Sequence, residues 1–268
     1  MLPNFLGIGV QRSATTWLYE CLKEHPQIFL PDKKELHFFD NNFDKGLKWY
    51  ESFFEGVSNE VAVGEITPDY LYNRKAVERM ASVVPEAKLI VSLRHPVYRA
   101  YSAYCLLRSA SQVSEPFEKA FWKIPYIKDV GFYYKHLTFL FEFYPRDQVM
   151  IILYDDIISS PERVIKSLYS FLGVDSDFSP SNLTKKYNKV LFPKFQMFLE
   201  GIGLRKPLSS FKRTKLANLI KDMFFYFENK KKVRLKKETI SPLIDVYRED
   251  IVKLEKLIDR NLNSWLQP

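Results

Sequence analysis

The chain has 268 residues, 46% hydrophobic, 16% aromatic and 27% charged, and a net charge of +8. So much apolar side chain at an ordinary charged fraction excludes disorder of the whole chain, and two cysteines, Cys21 and Cys105, exclude a disulfide framework. No apolar run reaches the about 18 residues that cross a bilayer. Both cysteines lie in apolar helical contexts and read as buried thiols, which suits a reducing cytoplasm. The opening "MLPNFLGIGV" has no basic region and no small-residue cleavage site, so it reads as a first core strand rather than a signal peptide. The expectation is a soluble, cytoplasmic protein.

Phe5 to Val10 is a short apolar run that stops at a polar loop, as a buried parallel strand does. Thr15 to Lys23 follows as a helix with Trp17, Leu18, Cys21 and Leu22 on one face. "HPQIFLP" is a short extended piece, and Lys45 to Phe54 has helical spacing. Val61 to Ile66 is a strand, "TPDYLY" a turn, and Arg74 to Val84 a helix stopped by Pro85. Ala87 to Pro96 is the clearest strand, and Val97 to Arg108 a helix with Pro96 at its start. Gly131 to Tyr144 reads as an aromatic-rich helix and "DQVMIILYDDI" as a further strand. Pro161 to Leu172 is a helix closed by Gly173, and Ser241 to Leu257 an amphipathic one. Strands alternating with helices predict an α/β fold with a parallel sheet, whose ligands lie at the C-terminal strand ends. With no internal repeat and no clean linker before residue 175, residues 1–268 read as one domain.

The loop at 11–16 joins a strand to a helix N-terminus, where backbone N–H groups and the helix dipole favour an anion. Arg12, Ser13, Thr15 and Thr16 add a planar cation and hydroxyls. The alternative is a serine/threonine helix cap. The loop is not a Walker A motif, because no lysine follows Ala14. That disfavours a nucleotide kinase.

Three stretches in order, "QRSATTW", "KKELHFFD" and "LIVSLRHPVYRAYSAY", resemble the signature of sulfotransferases that use 3′-phosphoadenosine 5′-phosphosulfate, in the style of the heparan-sulfate branch and its bacterial relatives. The resemblance covers at least residues 3 to 174, with an echo in "YREDIVKLEKLIDRNLNSWL". It implies a P-loop-like central parallel sheet with helices on both faces. It also implies sulfuryl transfer to a hydroxyl or amine, most simply on a carbohydrate, with 3′,5′-ADP as product and no metal required.

Residue by residue, the resemblance gives Arg12 the place beside the phosphate–sulfate bridge, where the family usually has lysine. Gln11, Ser13, Ala14, Thr15, Thr16 and Trp17 complete the 5′-phosphosulfate loop, and Arg94 with Ser102 forms the 3′-phosphate site. Glu35 takes the general base position, which needs a carboxylate within reach of the acceptor proton. His37 supports it and is the alternative base. Lys34 is placed near the sulfate or acceptor, and Glu65, Asp69 and Tyr134 are cleft candidates. Asn188 and Lys189 fall where the family closes a loop over the 3′-phosphate, without its usual basic–glycine pair.

Two positions depart from the pattern. Ala14 replaces a glycine, so either the loop runs at negative φ or donor binding is weakened. Ile66 replaces a lysine common in glycosaminoglycan enzymes, which argues against a highly anionic acceptor there. Between Arg205 and Lys237, twelve Lys or Arg face only Asp222 and Glu228. That run reads as a site for an anionic polysaccharide or an acidic membrane surface, or as a solvated helical face. No reader motif supports nucleic acid. Composition leaves the oligomeric state open, and a fold-retaining binding protein without catalysis stays as the second function class.

Overall fold

The computed structural model describes residues 1–183 and 235–268. Phe5–Gly9 forms β1, every residue of it buried. It lies between β3 (Ala62–Ile66) and β4 (Lys88–Leu93), with β2 (Ile28–Phe29) beyond β3 and β5 (Val149–Leu153) beyond β4. All four pairings are parallel, in the order β2-β3-β1-β4-β5. The pleat sorts side chains onto two faces. Leu6, Ile8, Val10, Leu89 and Val91 enter one apolar cluster, while Phe5, Ile66, Ile90 and Ile152 enter another. Both faces being covered explains why these strands read as continuous apolar runs.

α1 (Thr15–Lys23) packs into the second cluster through Trp17, Leu18, Cys21 and Leu22. The first cluster is closed by α4 (Arg74–Val83), α5 (Pro96–Ser109), α8 (Tyr133–Leu140) and the C-terminal helix, with short α2 (Phe38–Asn41), α3 (Gly46–Glu51), α6 (Phe117–Lys123) and α7 (Pro125–Lys128) between. α9 (Tyr154–Ser159) and α10 (Pro161–Leu172) follow β5, and Gly173 ends α10 at φ 81. The C-terminal helix, α11, runs Lys237–Ile258. No helix among the described residues is long and apolar enough to cross a membrane.

The chain departs from the sequence reading at three elements. "DDI" is not strand: the chain turns into α9 directly after Leu153. The aromatic helix is shorter than Gly131 to Tyr144, because Asp129–Gly131 is a 3₁₀ turn and α8 ends at Leu140. α11 begins four residues before Ser241, since Ile240 is already packed in the core.

β3 approaches β1 closely at Gly64. Phe5 pairs with Gly64, and a Cβ at Gly64 would lie 2.5 Å from the Phe5 ring. Gly64→Ala is therefore expected to destabilise the fold by about 1–3 kcal/mol through overpacking. A thermal melt reads this as a drop of several degrees, on the order of 2–4 °C per kcal/mol.

Candidate functional site

β1, β3 and β4 end side by side, and hydrogen bonds continue their pairing past the strands. Thr67 N–H donates to the Gly7 carbonyl at 2.9 Å, and Val10 N–H to the Ser92 carbonyl at 2.8 Å. Three segments therefore meet at one edge: the loop after β1, the turn after β3, and the start of α5.

In the loop, burial alternates. Gln11, Ser13 and Thr15 are buried, while Arg12, Ala14 and Thr16 are partly exposed. Ser13 is fully enclosed; its carbonyl accepts from Ser92 Oγ, and its own hydroxyl has no partner among the described residues. Trp17 is also turned inward, its indole N–H donating to the Leu183 carbonyl at 3.1 Å. The faces open to a ligand therefore belong to Arg12, Ala14 and Thr16, fewer than the motif suggested. Ala14 occupies the N-cap of α1 at φ 67, ψ 18, and no side chain caps the helix. That removes the serine/threonine cap as the loop's purpose, and it removes the negative-φ alternative for Ala14. Arg12 is left-handed as well, at φ 69.

Arg12 Nε donates to Ser102 Oγ at 3.0 Å, and Arg94 Nη1 donates to the Arg12 carbonyl at 3.2 Å. Arg94 also lies over the Tyr154 ring, 4.6 Å from its centre. Arg12, Arg94 and Ser102, distant in sequence, are thus one constellation. Burial pushes the Arg12 guanidinium below its ordinary value, and Arg94 and Arg99 add to that. No ion pair to Arg12, Arg94 or Arg99 occurs among the described residues.

Across the cleft, Glu35 and His37 both sit at positive φ, 63 and 52. Lys34 Nζ pairs with Glu35 Oε1 at 2.5 Å. His37 Nδ1 meets Asp40 Oδ2 at 2.8 Å, and this hydrogen bond raises the His37 pKa above 6.5. Gln11 Nε2 donates to Asp69 Oδ1 at 2.9 Å and reaches Tyr72 OH at 3.4 Å. Burial pushes the Asp69 carboxyl up. Gln11 is therefore a tie between loop and turn. His37, Asp40 and Asp69 offer atoms within 4.8 Å of one another, the arrangement among the described residues able to grip a cation.

Two cleft candidates sit elsewhere. Glu65 is fully buried, its carboxylate taking hydroxyls from Tyr50, Tyr70 and Thr67 at 3.1, 2.7 and 2.6 Å. Tyr134 lies against α11: Asp250 accepts from its backbone N–H at 3.0 Å, and Lys253 stands 5.8 Å from its ring. Ile66 is a core residue packed against Gly7. Asn188 and Lys189, and nearly all of the basic run, lie outside the described residues.

Sequence reasoning missed four neighbours. Asp40 was visible only as the end of "KKELHFFD". Tyr72 reaches the site through its contact with Gln11. Tyr126 carries charge interactions with Asp69, Arg99, Arg12 and Glu35, and burial first of all pushes it up to about 12. Arg99 is fully buried and donates to the Tyr126 and Ile127 carbonyls, while its Nε and Nη1 have no partner among the described residues.

With this geometry, the comparisons with known proteins fall into place. The model of the sulfotransferase domain family matches residues 2–198. The chain belongs to the sulfotransferase family. It is 32% identical to the mouse bifunctional heparan sulfate N-deacetylase/N-sulfotransferase 4 over 99% of this chain, and 31% identical to human heparan sulfate glucosamine 3-O-sulfotransferase 3B1 over 65%. It spans only 31% and 46% of those relatives' lengths. A solved sulfotransferase from Alicyclobacillus acidocaldarius superposes with a TM-score of 0.76 at 25% identity, each chain 99% covered. The sulfotransferase domain of the curacin biosynthetic pathway, at 17% identity and TM-score 0.54, shares the fold.

The left-handed Ala14 carries a cost that glycine would relieve, on the order of 1 kcal/mol. Ala14→Gly should therefore raise the melting temperature by about 2–4 °C. An unchanged or lower melting temperature would mean that the loop does not hold this conformation in solution.

Proposed function

We propose that the chain transfers a sulfuryl group from 3′-phosphoadenosine 5′-phosphosulfate to a hydroxyl or amine of a carbohydrate, with Glu35 as general base. The observation that carries this reading is the set of arginines without ion pairs among the described residues: partly buried Arg12 and Arg94 at neighbouring strand ends, with buried Arg99 behind them. Cations withdrawn from water are costly unless an anion meets them. A ligand with phosphate at two positions supplies that anion twice. The uncapped start of α1 adds N–H donors and the positive end of a helix dipole. The residues present therefore fit the donor that the family uses.

In this reading Arg94 and Ser102 hold the 3′-phosphate, while Arg12 and the Ala14–Thr16 turn hold the 5′-phosphosulfate. The bound donor supplies the sulfuryl group and departs as 3′,5′-ADP. Arg12 and the helix N-terminus stabilise the negative charge that grows on the leaving phosphate oxygen, a preorganised electrostatic effect. Glu35 accepts the proton of the attacking hydroxyl or amine. Lys34 fixes the Glu35 carboxylate through its short ion pair. His37, with its pKa raised first by its hydrogen bond to Asp40, stands beside Glu35 as the alternative proton acceptor. Asp69, Gln11 and Tyr72 give the cleft a polar wall suited to sugar hydroxyls. Support for a carbohydrate also comes from the heparan sulfate enzymes among the relatives.

The reading is tested with labelled donor and a panel of desulfated heparan, phenol and long-chain alcohol acceptors. Turnover is expected with the carbohydrate, and Glu35→Gln should lower kcat by about 10²–10⁴. Turnover that survives Glu35→Gln would remove the carboxylate from its role. The pH profile separates the two candidate bases. A His37 base works only when deprotonated, so its activity would fall away below a limb lying above pH 6.5, because Asp40 raises that pKa. A profile without that limb removes His37 as the base.

A further inference from the structure

Glu35 and His37 are non-glycine residues in left-handed conformations, two positions apart. Such backbone persists only where its surroundings over-determine it. Here the surroundings lead to a single buried carboxylate. Burial pushes the Glu65 carboxyl up, and the Leu36 backbone amide is among the groups that oppose this. The His37 N–H reaches Thr67 Oγ1 at 3.4 Å, and Thr67 Oγ1 donates to Glu65 Oε2 at 2.6 Å. The Phe38 N–H donates to Tyr70 OH at 2.8 Å, and Tyr70 OH donates to Glu65 Oε1 at 2.7 Å. Two consecutive backbone donors thus reach one side chain, each through one hydroxyl. Tyr50 of α3 adds a further hydroxyl at 3.1 Å to Oε1. Glu65 itself is fixed in the sheet opposite Leu6 of β1, the strand that carries the Arg12 loop.

We infer that Glu65 is a positioning residue for the reaction: a buried carboxylate that sets the Glu35–His37 turn in register with the loop after β1. It touches neither donor nor acceptor. An acceptor-only group is needed there, because every partner arrives as a donor. An aspartate would be one methylene short of the two relays. The inference rests on the reading of Glu35 as general base, but the anchoring itself does not.

Tyr70→Phe tests it, since this change keeps the ring and removes only the Phe38 relay. Two readouts are taken: amide hydrogen exchange at Leu36, His37 and Phe38 in the free protein, and kcat with labelled donor and desulfated heparan. Exchange at Phe38 should accelerate, and kcat should fall on the order of tenfold, the worth of one net hydrogen bond. The affinity for 3′,5′-ADP should stay unchanged. In a Glu35→Gln background the same change should cost nothing further in kcat, because its effect runs through Glu35. Unchanged exchange at Phe38 in a folded variant overturns the anchoring. A kcat loss that multiplies with that of Glu35→Gln overturns the positioning role. If wild type turns over no acceptor, the function reading fails, and exchange alone still decides the anchoring. Thr67→Val removes the His37 relay and is read the same way at His37 should Tyr70→Phe not fold.

Discussion

Everything at the cleft hangs from the pairing of β1 with β3 on one side and β4 on the other. Those ladders do not stop where the strands stop. Thr67 and Leu71 N–H groups reach back to the Gly7 and Ile8 carbonyls, and Val10 reaches the Ser92 carbonyl. The extended pairing places the loop after β1, the turn that bears Asp69, and the Arg94 segment within contact of one another. A parallel sheet with both faces covered leaves its strand ends as the place where polar groups can gather without breaking the core.

The cleft is also where the backbone departs from its ordinary conformations. Arg12, Ala14, Glu35 and His37 all have positive φ. Two devices hold them. Under the anion loop, Ser92 Oγ donates to the Ser13 carbonyl and Arg94 to that of Arg12. Under the Glu35 turn, the buried Glu65 gathers the hydroxyls of Tyr50, Thr67 and Tyr70. Strain of this kind, of order 1–3 kcal/mol per residue, is sustained by such surroundings and clusters at working sites. The positive side of the cleft has a matching logic. Three arginines share a partly buried region, and none of them forms an ion pair among the described residues, which is what the proposed anionic donor would use.

Much of this was legible in the sequence. Strands written as apolar runs between turn residues fixed the sheet, and Gly173 closed α10 as its residue type suggests. Arg12, Arg94 and Ser102, which the motifs singled out separately, stand in hydrogen-bond contact in the structure. What the sequence hid was orientation and distant contact. Every residue of β3 is buried, so its pattern does not show that Glu65 faces Tyr50 and Tyr70 rather than the cleft. Alternation in the loop turned Ser13 inward, although its residue type suggested a ligand contact. Tyr126 and Arg99 join the cleft through pairings between α5 and α7, and local periodicity carries no record of such pairings. Tyr134 lies against α11, a partner more than a hundred residues away.

The central claim is that the arginine cluster at the ends of β1 and β4 binds an adenosine carrying phosphate at both its 3′ and 5′ positions. Calorimetric titration with 3′,5′-ADP tests it directly, because no acceptor need be known. The account predicts saturable binding to wild type and an affinity lower by about 10–100-fold in Arg94→Ala, the worth of a lost charged hydrogen bond. No binding to wild type, or equal binding to both proteins, would contradict it.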